Sequence, residues 1–429
     1  FRSDMPEYVR LIVEGDILQK HEGAIKLRKC LSAKINTPIQ SALDLNILPY
    51  LVEMMRQEEH PYLQIEGAWC ITNMATGSHL QVLRLVEKGV VPVYIQLLTK
   101  DSLLLVEQAV WGIGNISGDC PEYRDLFVQN NAIRILADLY ERTKRVNESL
   151  SIDIIWACSN LCRTAPYPPV DKTISALSMF ASALKETKKV TTTINCIWGL
   201  LSMTTPSTLH HLENAGVVEC IVSLLKREDV MVTNPALKII STFSAADSTY
   251  TKLIVNYGVI DGLAHLLGNH IKAIKKLALL CLSNLAAGES AHVQSILTYP
   301  SLLSRILNLS VTADEDNKLE ATWCICNCCK SGNTGQIEGL LKSGIIEIFG
   351  DKLDNSSPPA MLGIVIEAFI AICYTIRSDS PDNFNELIQI LFDKGIIDQI
   401  EALQQHKNNY VYSKAYKFIT SFLEVDKII

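Results

Sequence analysis

No apolar run among the 429 residues approaches the eighteen or so needed to cross a bilayer, which predicts that the chain has no membrane segment and no membrane partner. Positive charge is also short. There are 39 Lys plus Arg against 46 Asp plus Glu, a formal net charge of −7, and this disfavours nucleic acid and favours a basic partner. The sequence opens Phe1-Arg2-Ser3-Asp4, with neither a Met nor the apolar stretch of a signal peptide, so a trimmed fragment without a secretory leader is expected. Thirteen Cys is an odd number scattered along the chain without the spacing of a disulfide framework, which fits reduced thiols in a cytosolic or nuclear protein. A Gly-rich phosphate loop, a nucleophile elbow and a phased acid pair are all missing, so neither an enzyme nor a cofactor is expected. What the chain does have is 48% hydrophobic residues, which excludes disorder over most of its length.

It also has a period. A Gly or Asn followed by two or three apolar residues recurs at Asn46, Gly89, Asn131, Gly216, Gly258, Gly344 and Gly395. Between adjacent starts the interval is 42 or 43 residues, except the last, which is 51 and holds a polar insertion at Ser378–Asn383; two double intervals leave room for degenerate units near Pro168-Pro169 and near Pro300. Half a period later comes a second phrase: Trp69-Cys-Ile-Thr-Asn73, Trp111-Gly-Ile-Gly-Asn115, Trp156-Ala-Cys-Ser-Asn160 and Trp323-Cys-Ile-Cys-Asn327. In register, Trp198, Lys238 and Leu280 hold the remaining Trp positions. Apolar spacing is helical throughout, without the sustained alternation of a strand. Breaks at Gly77, Gly118 and Gly288 are expected to end the Trp–Asn helices. A period near forty with two or three helices per unit predicts an all-α armadillo-repeat, right-handed superhelical solenoid of about ten repeats, with residues 1–429 as one continuous domain.

Trp and Asn four apart share one helix face, and in-register repeats align successive pairs. A carboxamide there can bond the N–H and C=O of an extended peptide without reading its sequence. Neighbouring indoles leave slots for the aliphatic stems of Lys or Arg, their charged heads favoured by the ring faces. Glu66, Gln108 and Asp153, each three residues before a Trp, together with Asp119, are expected at the rim. The expected ligand is an extended Lys/Arg-rich peptide. A catenin-like armadillo scaffold for acidic partners would instead need Lys or Arg in place of the Asn and the acidic rim. Cys324, Cys326, Cys328 and Cys329 lie in one expected helix, which spreads them around its axis; they read as buried thiols rather than a metal site. His210-His211 reads as surface.

These phrases resemble importin alpha, the armadillo adaptor that reads nuclear localization signals. The likeness is densest in Glu66–Gly77, Glu107–Asp119 and Trp156–Arg163, and Gly395–Gln404 looks like that family's last repeat. The resemblance implies a major peptide site at Trp69, Asn73, Gly77, Glu107, Trp111, Asn115, Asp119, Trp156 and Asn160, with Asp119 taking the key lysine. Val82 stands where the family carries a polar residue. A minor site is implied at Lys238, Asn284, Glu320, Trp323 and Asn327, weakened by Leu280, Leu277 and Thr242 at positions where the family has Trp, an acid and Asn. It further implies cargo proteins as partners, importin beta through a basic N-terminal segment absent from this chain, an export receptor at the C-terminal repeats, and shuttling between cytoplasm and nucleus.

Overall fold

The computed structural model describes residues 4–33 and 35–423, and among them every regular element is a helix. They form two compact units, Phe1–Val217 and Val218–Ile429. The first holds a row of long helices, α1 (Ile17–Leu31), α2 (Pro61–Met74), α3 (Leu103–Ser117), α4 (Glu148–Arg163) and α5 (Val190–Ser202), each packed on the next. In the second the row is α6 (Val230–Ser244), α7 (Lys272–Ala286), α8 (Glu315–Ser331), α9 (Pro359–Asp379) and α10 (Asn409–Phe422), again each on its neighbour. Their first residues recur every 40 to 50 positions, so the ten long helices mark the repeats expected from the period. Shorter helices between them complete each unit. Ile71, Ile113 and Leu161 on three successive long helices are fully buried, each stabilising the stack by about 1.5–3 kcal/mol.

The recurring Gly-or-Asn phrase has a backbone cause. Asn46, Gly89, Asn131, Gly216, Gly258, Gly344 and Gly395 all have φ between 53° and 83°, the left-handed region that Gly adopts freely and Asn tolerates. Ser301, beside Pro300, adopts the same conformation at φ 57°, which identifies one degenerate start. The other start has no such residue; a short turn at Val170–Thr173 and a 3-10 segment at Ile174–Ala176 lead into the helix Leu177–Glu186 instead.

One expectation is met and one needs correcting. The break expected at Gly118 does end α3, with Gly118 as its C-cap at φ −76°. Its missing side chain makes room: a Cβ there would stand 3.1 Å from the Asn160 amide nitrogen. And one helix, α9, does reach span length, with a mean hydropathy of 2.0 over an eighteen-residue window. Glu367 interrupts the apolar run and hid its length from a scan for unbroken stretches. That window is 67% buried and α9 packs between α8 and α10, the placement of a repeat core helix.

Candidate functional site

The Asn of each Trp–Asn pair is tied to the helix before it. Asn73 donates from Nδ2 to Ser32 Oγ at 3.0 Å, Asn115 to the Thr72 carbonyl at 3.3 Å and Asn160 to the Gly114 carbonyl at 2.9 Å. In the second unit Asn284 donates to Ser244 Oγ at 3.3 Å, and Asn327 to the Ser283 carbonyl at 3.1 Å and hydroxyl at 3.0 Å. A carboxamide has two N–H groups and an acceptor oxygen, so one N–H used in this way fixes its plane and leaves the rest of its capacity. Asn73, Asn115, Asn284 and Asn327 are partly exposed. Asn160 differs: it is 4% exposed, and its buried Oδ1 has no partner.

The indoles are held differently from one another. Trp111 is the most open, at 42% exposure, and its side chain hydrogen-bonds Asp153 on α4. The Trp156 ring lies over the bare backbone of Gly114, in space that a Cβ would occupy. Trp69 is covered: the Arg28 guanidinium from α1 lies 4.1 Å from its ring centroid, and Arg28 Nε is 2.6 Å from a Glu66 oxygen.

The acidic positions divide in the same way. Glu66 is therefore not a free rim charge, since it is buried and paired with Arg28; Gln108 is also buried, with Oε1 unpartnered. Asp153 is half-buried, and burial raises its carboxyl above the ordinary value, against the opposing hydrogen bond from Trp111. Glu320 on α8 is alike: burial raises it, Lys276 opposes and Asp316 adds. Half-buried carboxylates of this kind favour a cation as partner. Asp119, 16% exposed at its side chain, has its Oδ2 2.6 Å from His79 Nδ1, and the His79 ring stacks on Tyr123 with an interplanar angle of 9°.

Gly77 abuts Gln81 in the turn after α2, and Glu107 is half-buried on α3. Val82 is in the core and offers the site nothing polar. In the second unit Lys238 and Leu280 are exposed and Leu277 is half-buried, while the Thr242 hydroxyl is turned onto the Lys238 carbonyl at 3.4 Å. Asn284, Gly288 and Glu289 line an open pocket of about 330 Å³ between the ends of α6 and α7. Cys324, Cys326, Cys328 and Cys329 are buried, and the first, second and fourth thiols are held well above the ordinary thiol range, Cys324 foremost by its hydrogen bond with Cys328, Cys326 and Cys329 by burial.

Sequence reading passed over Arg28 and His79. The signal was available, because Arg28 precedes Trp69 by 41 residues and His79 precedes Asp119 by 40, one period in each case.

Stacked helical units of this period, with a left-handed residue before a short helix in most of them, define an all-α armadillo fold. The armadillo/beta-catenin-like repeat model matches residues 78–118. A crystal structure of an engineered protein shares the fold at a TM-score of 0.73, covering 98% of both chains at 19% identity. Among natural relatives, importin subunit alpha-1b of Oryza sativa subsp. japonica is 29% identical over 97% of this chain and 78% of its own length. Importin subunit alpha-1a of the same plant is 30% identical over 98% of this chain and 80% of its own length. The probable importin subunit alpha-A of Dictyostelium discoideum is 30% identical over 99% of this chain and 80% of its own length. The chain belongs to the importin subunit alpha family.

Proposed function

We propose that this chain is a nuclear import adaptor, and that the Trp–Asn face of α2, α3 and α4 binds Lys/Arg-rich cargo segments in extended form. One observation carries this reading: consecutive amides, each oriented by the preceding helix, alternate with indoles flanked by half-buried carboxylates. Asn73 and Asn115 take the peptide backbone. Trp111 and Trp156 bound the slot for an aliphatic stem, with Asp153 and Glu107 beside its cationic head. Asp119 receives the leading lysine near Gly77. Trp69, already holding Arg28, and Asn160, buried beneath Gly118, form the two ends of the run. Helices pack roughly 8–10 Å apart and an extended peptide advances about 3.3 Å per residue, so successive slots take about every second or third side chain.

A second, weaker site in the other unit uses Asn284, Glu320, Trp323 and Asn327 with Lys238 at its edge. Leu280 gives an apolar surface but no indole face, and Thr242 is turned away onto its own helix. Cargo and importin beta are the partners in this reading, an export receptor meets the C-terminal repeats, and the protein shuttles between cytoplasm and nucleus.

Fluorescence anisotropy with a labelled Lys-Lys-x-Arg-type peptide tests the assignment. Tight binding that weakens with salt, and is lost both on changing the leading lysine to Ala and in Asp119→Lys, is expected. Binding indifferent to both changes returns the chain to a generic armadillo scaffold.

A further inference from the structure

We propose that His79, Asp119 and Cys120 form a binding site for a borderline-soft divalent transition metal such as Zn²⁺, set at the acidic end of the peptide face. One ligand atom from each lies within 4.8 Å of the others. Tetrahedral zinc holds ligands at about 2.0–2.3 Å, which puts them roughly 3.3–3.8 Å apart, so side-chain shifts of the order of an ångström, opening the 2.6 Å His79–Asp119 pair and drawing the more distant atoms in, form the shell. One imidazole nitrogen, one carboxylate oxygen and one thiolate is a donor set that hard Mg²⁺ and Ca²⁺ do not select and Zn²⁺ or Co²⁺ does.

The three residues are held by different local causes. His79 is the first residue of the helix His79–Glu87, whose N-cap Ser78 forms a capping box with Gln81. Tyr123 stacks on its ring, fixing the plane of the imidazole. Asp119 and Cys120 sit in the tight link between α3 and the helix Pro121–Gln129, where Cys120 is an extended N-cap at φ −155°. The two links come from consecutive repeats and meet across the stack. The Cys120 thiol hydrogen-bonds the Glu122 carboxylate, which places a fourth oxygen donor beside the sulfur. On binding, the thiol proton leaves to solvent and the sulfur takes the metal in its place, while the Nδ1 proton that His79 gives to Asp119 is lost to solvent and Nε2 carries the ring's remaining proton, so that Nδ1 is free to ligate.

The consequence rests on the reading of Asp119 as the lysine partner. A metal ion held there occupies the carboxylate and puts positive charge where the lysine head would be, so metal and cargo exclude one another.

Titration of the whole chain with Co²⁺ under reducing conditions tests the site. One equivalent is expected, with visible d–d bands and a near-ultraviolet sulfur-to-metal charge-transfer band. Cys120→Ser should abolish the charge-transfer band, and His79→Ala should weaken binding at least ~10-fold, since loss even of a group that only supports a ligand costs about that much. Absence of bands, or bands unchanged by Cys120→Ser, overturns the proposal, since another thiol would then be the ligand. Anisotropy with the basic peptide supplies the second arm. Metal should suppress peptide binding to the unaltered chain but not to Cys120→Ser, which lies outside the peptide contacts. Metal-loaded protein that still binds peptide through Asp119 overturns the exclusion. Metal binding alongside a metal-free chain that ignores the peptide leaves the metal site standing and removes the adaptor reading.

Discussion

The guanidinium of Arg28 lies 4.1 Å from the centroid of the Trp69 ring while its Nε stands 2.6 Å from Glu66, so a cation from the preceding repeat already fills the first aromatic slot of the face. Both partners are largely withdrawn from solvent, with side-chain exposures of 18% and 11%. Removing one member of such a pair strands the other charge. Arg28→Ala should therefore destabilise the first unit by about 3 kcal/mol, and Arg28→Met, which removes both partners' attraction but retains stem packing, should do no better. Urea denaturation reads this directly, and an unshifted midpoint in Arg28→Ala would show that the pair contributes nothing. Glu66→Gln/Arg28→Met together should recover part of the loss, because no charge is left unpaired.

His79 is a rival for the carboxylate that the proposed cargo lysine needs. Its Nδ1 donates to Asp119 at 2.6 Å and must be displaced before an ammonium group can take the same oxygen. His79→Ala should tighten binding of a basic peptide about 3- to 10-fold when measured with a chelator present, the scale of one hydrogen bond to a charged group in competition with water. Weaker binding in His79→Ala would mean that the imidazole shapes the site for the lysine rather than opposing it.

Asp153 trades stability for attraction to a cation. Burial raises its carboxyl, so the folded chain holds that proton at a higher pH than the unfolded chain does. The stabilisation from the neutral form is complete below the unfolded pKa and is lost as pH rises through the folded one. At neutral pH the ionised carboxylate is a strain on the fold. Asp153→Asn keeps an oxygen for the Trp111 side chain and should melt higher than the unaltered chain at pH 7, the two curves converging in acid. The same substitution should weaken basic peptide about 10-fold at pH 7. Peptide affinity of the unaltered chain should fall as pH is lowered through that raised value; a lower melting temperature for Asp153→Asn at pH 7 would contradict the electrostatic argument.

The repeat period, the helical class and the positions of the Trp–Asn helices were legible because they are written in the local sequence. A left-handed residue such as Gly89 or Gly258 must be Gly or a tolerant polar residue, and a Trp four before an Asn shares its face whatever surrounds it. What could not be read was the occupancy of those faces. That Glu66 is neutralised, that Asn160 is buried and that His79 stacks on Tyr123 depend on contacts between residues about one period apart. Gly118 shows the limit well: its place at a helix end was legible, while the closeness of its backbone to the Asn160 amide on the next long helix was not. Glu367 shows another, since one acid in α9 conceals an apolar helix whose charge is met by Lys330 and Lys414 from its two neighbours.

Asn115 has two partners in the adaptor reading, the Thr72 carbonyl within the chain and the backbone of the peptide. Asn115→Ala should lower stability by only about 1 kcal/mol, the net worth of one neutral hydrogen bond. Its effect on peptide should be larger, about 10-fold or more, and equal for peptides that differ in side chains but share the extended form, because the amide addresses main-chain groups. Asp119→Asn should behave oppositely, discriminating strongly between a leading lysine and a leading alanine. If Asn115→Ala penalises only lysine-led peptides, the amide is reading side chains and the division of labour along the face is wrong.

Two glycines inside helices separate local propensity from packing on the face. Gly339, in the helix Thr334–Lys342, has nothing within 4 Å of where a Cβ would stand, so Gly339→Ala should gain the helix propensity of alanine and stabilise the second unit by about 1 kcal/mol. Gly114 in α3 offers the same propensity gain, but its Cβ would occupy the space of the Trp156 ring. The ring would have to leave its position above the helix, and overpacking of that kind costs about 1–3 kcal/mol, which outweighs the gain. Gly114→Ala should therefore destabilise the first unit and, by moving one wall of the aromatic slot, weaken basic peptide as well. Opposite signs for the two substitutions, read from thermal melts of otherwise identical chains, would place the Trp156 ring on Gly114. Equal stabilisation by both would mean that the ring does not rest there, and the slot between Trp111 and Trp156 would lose the wall on which the proposed stem contact depends.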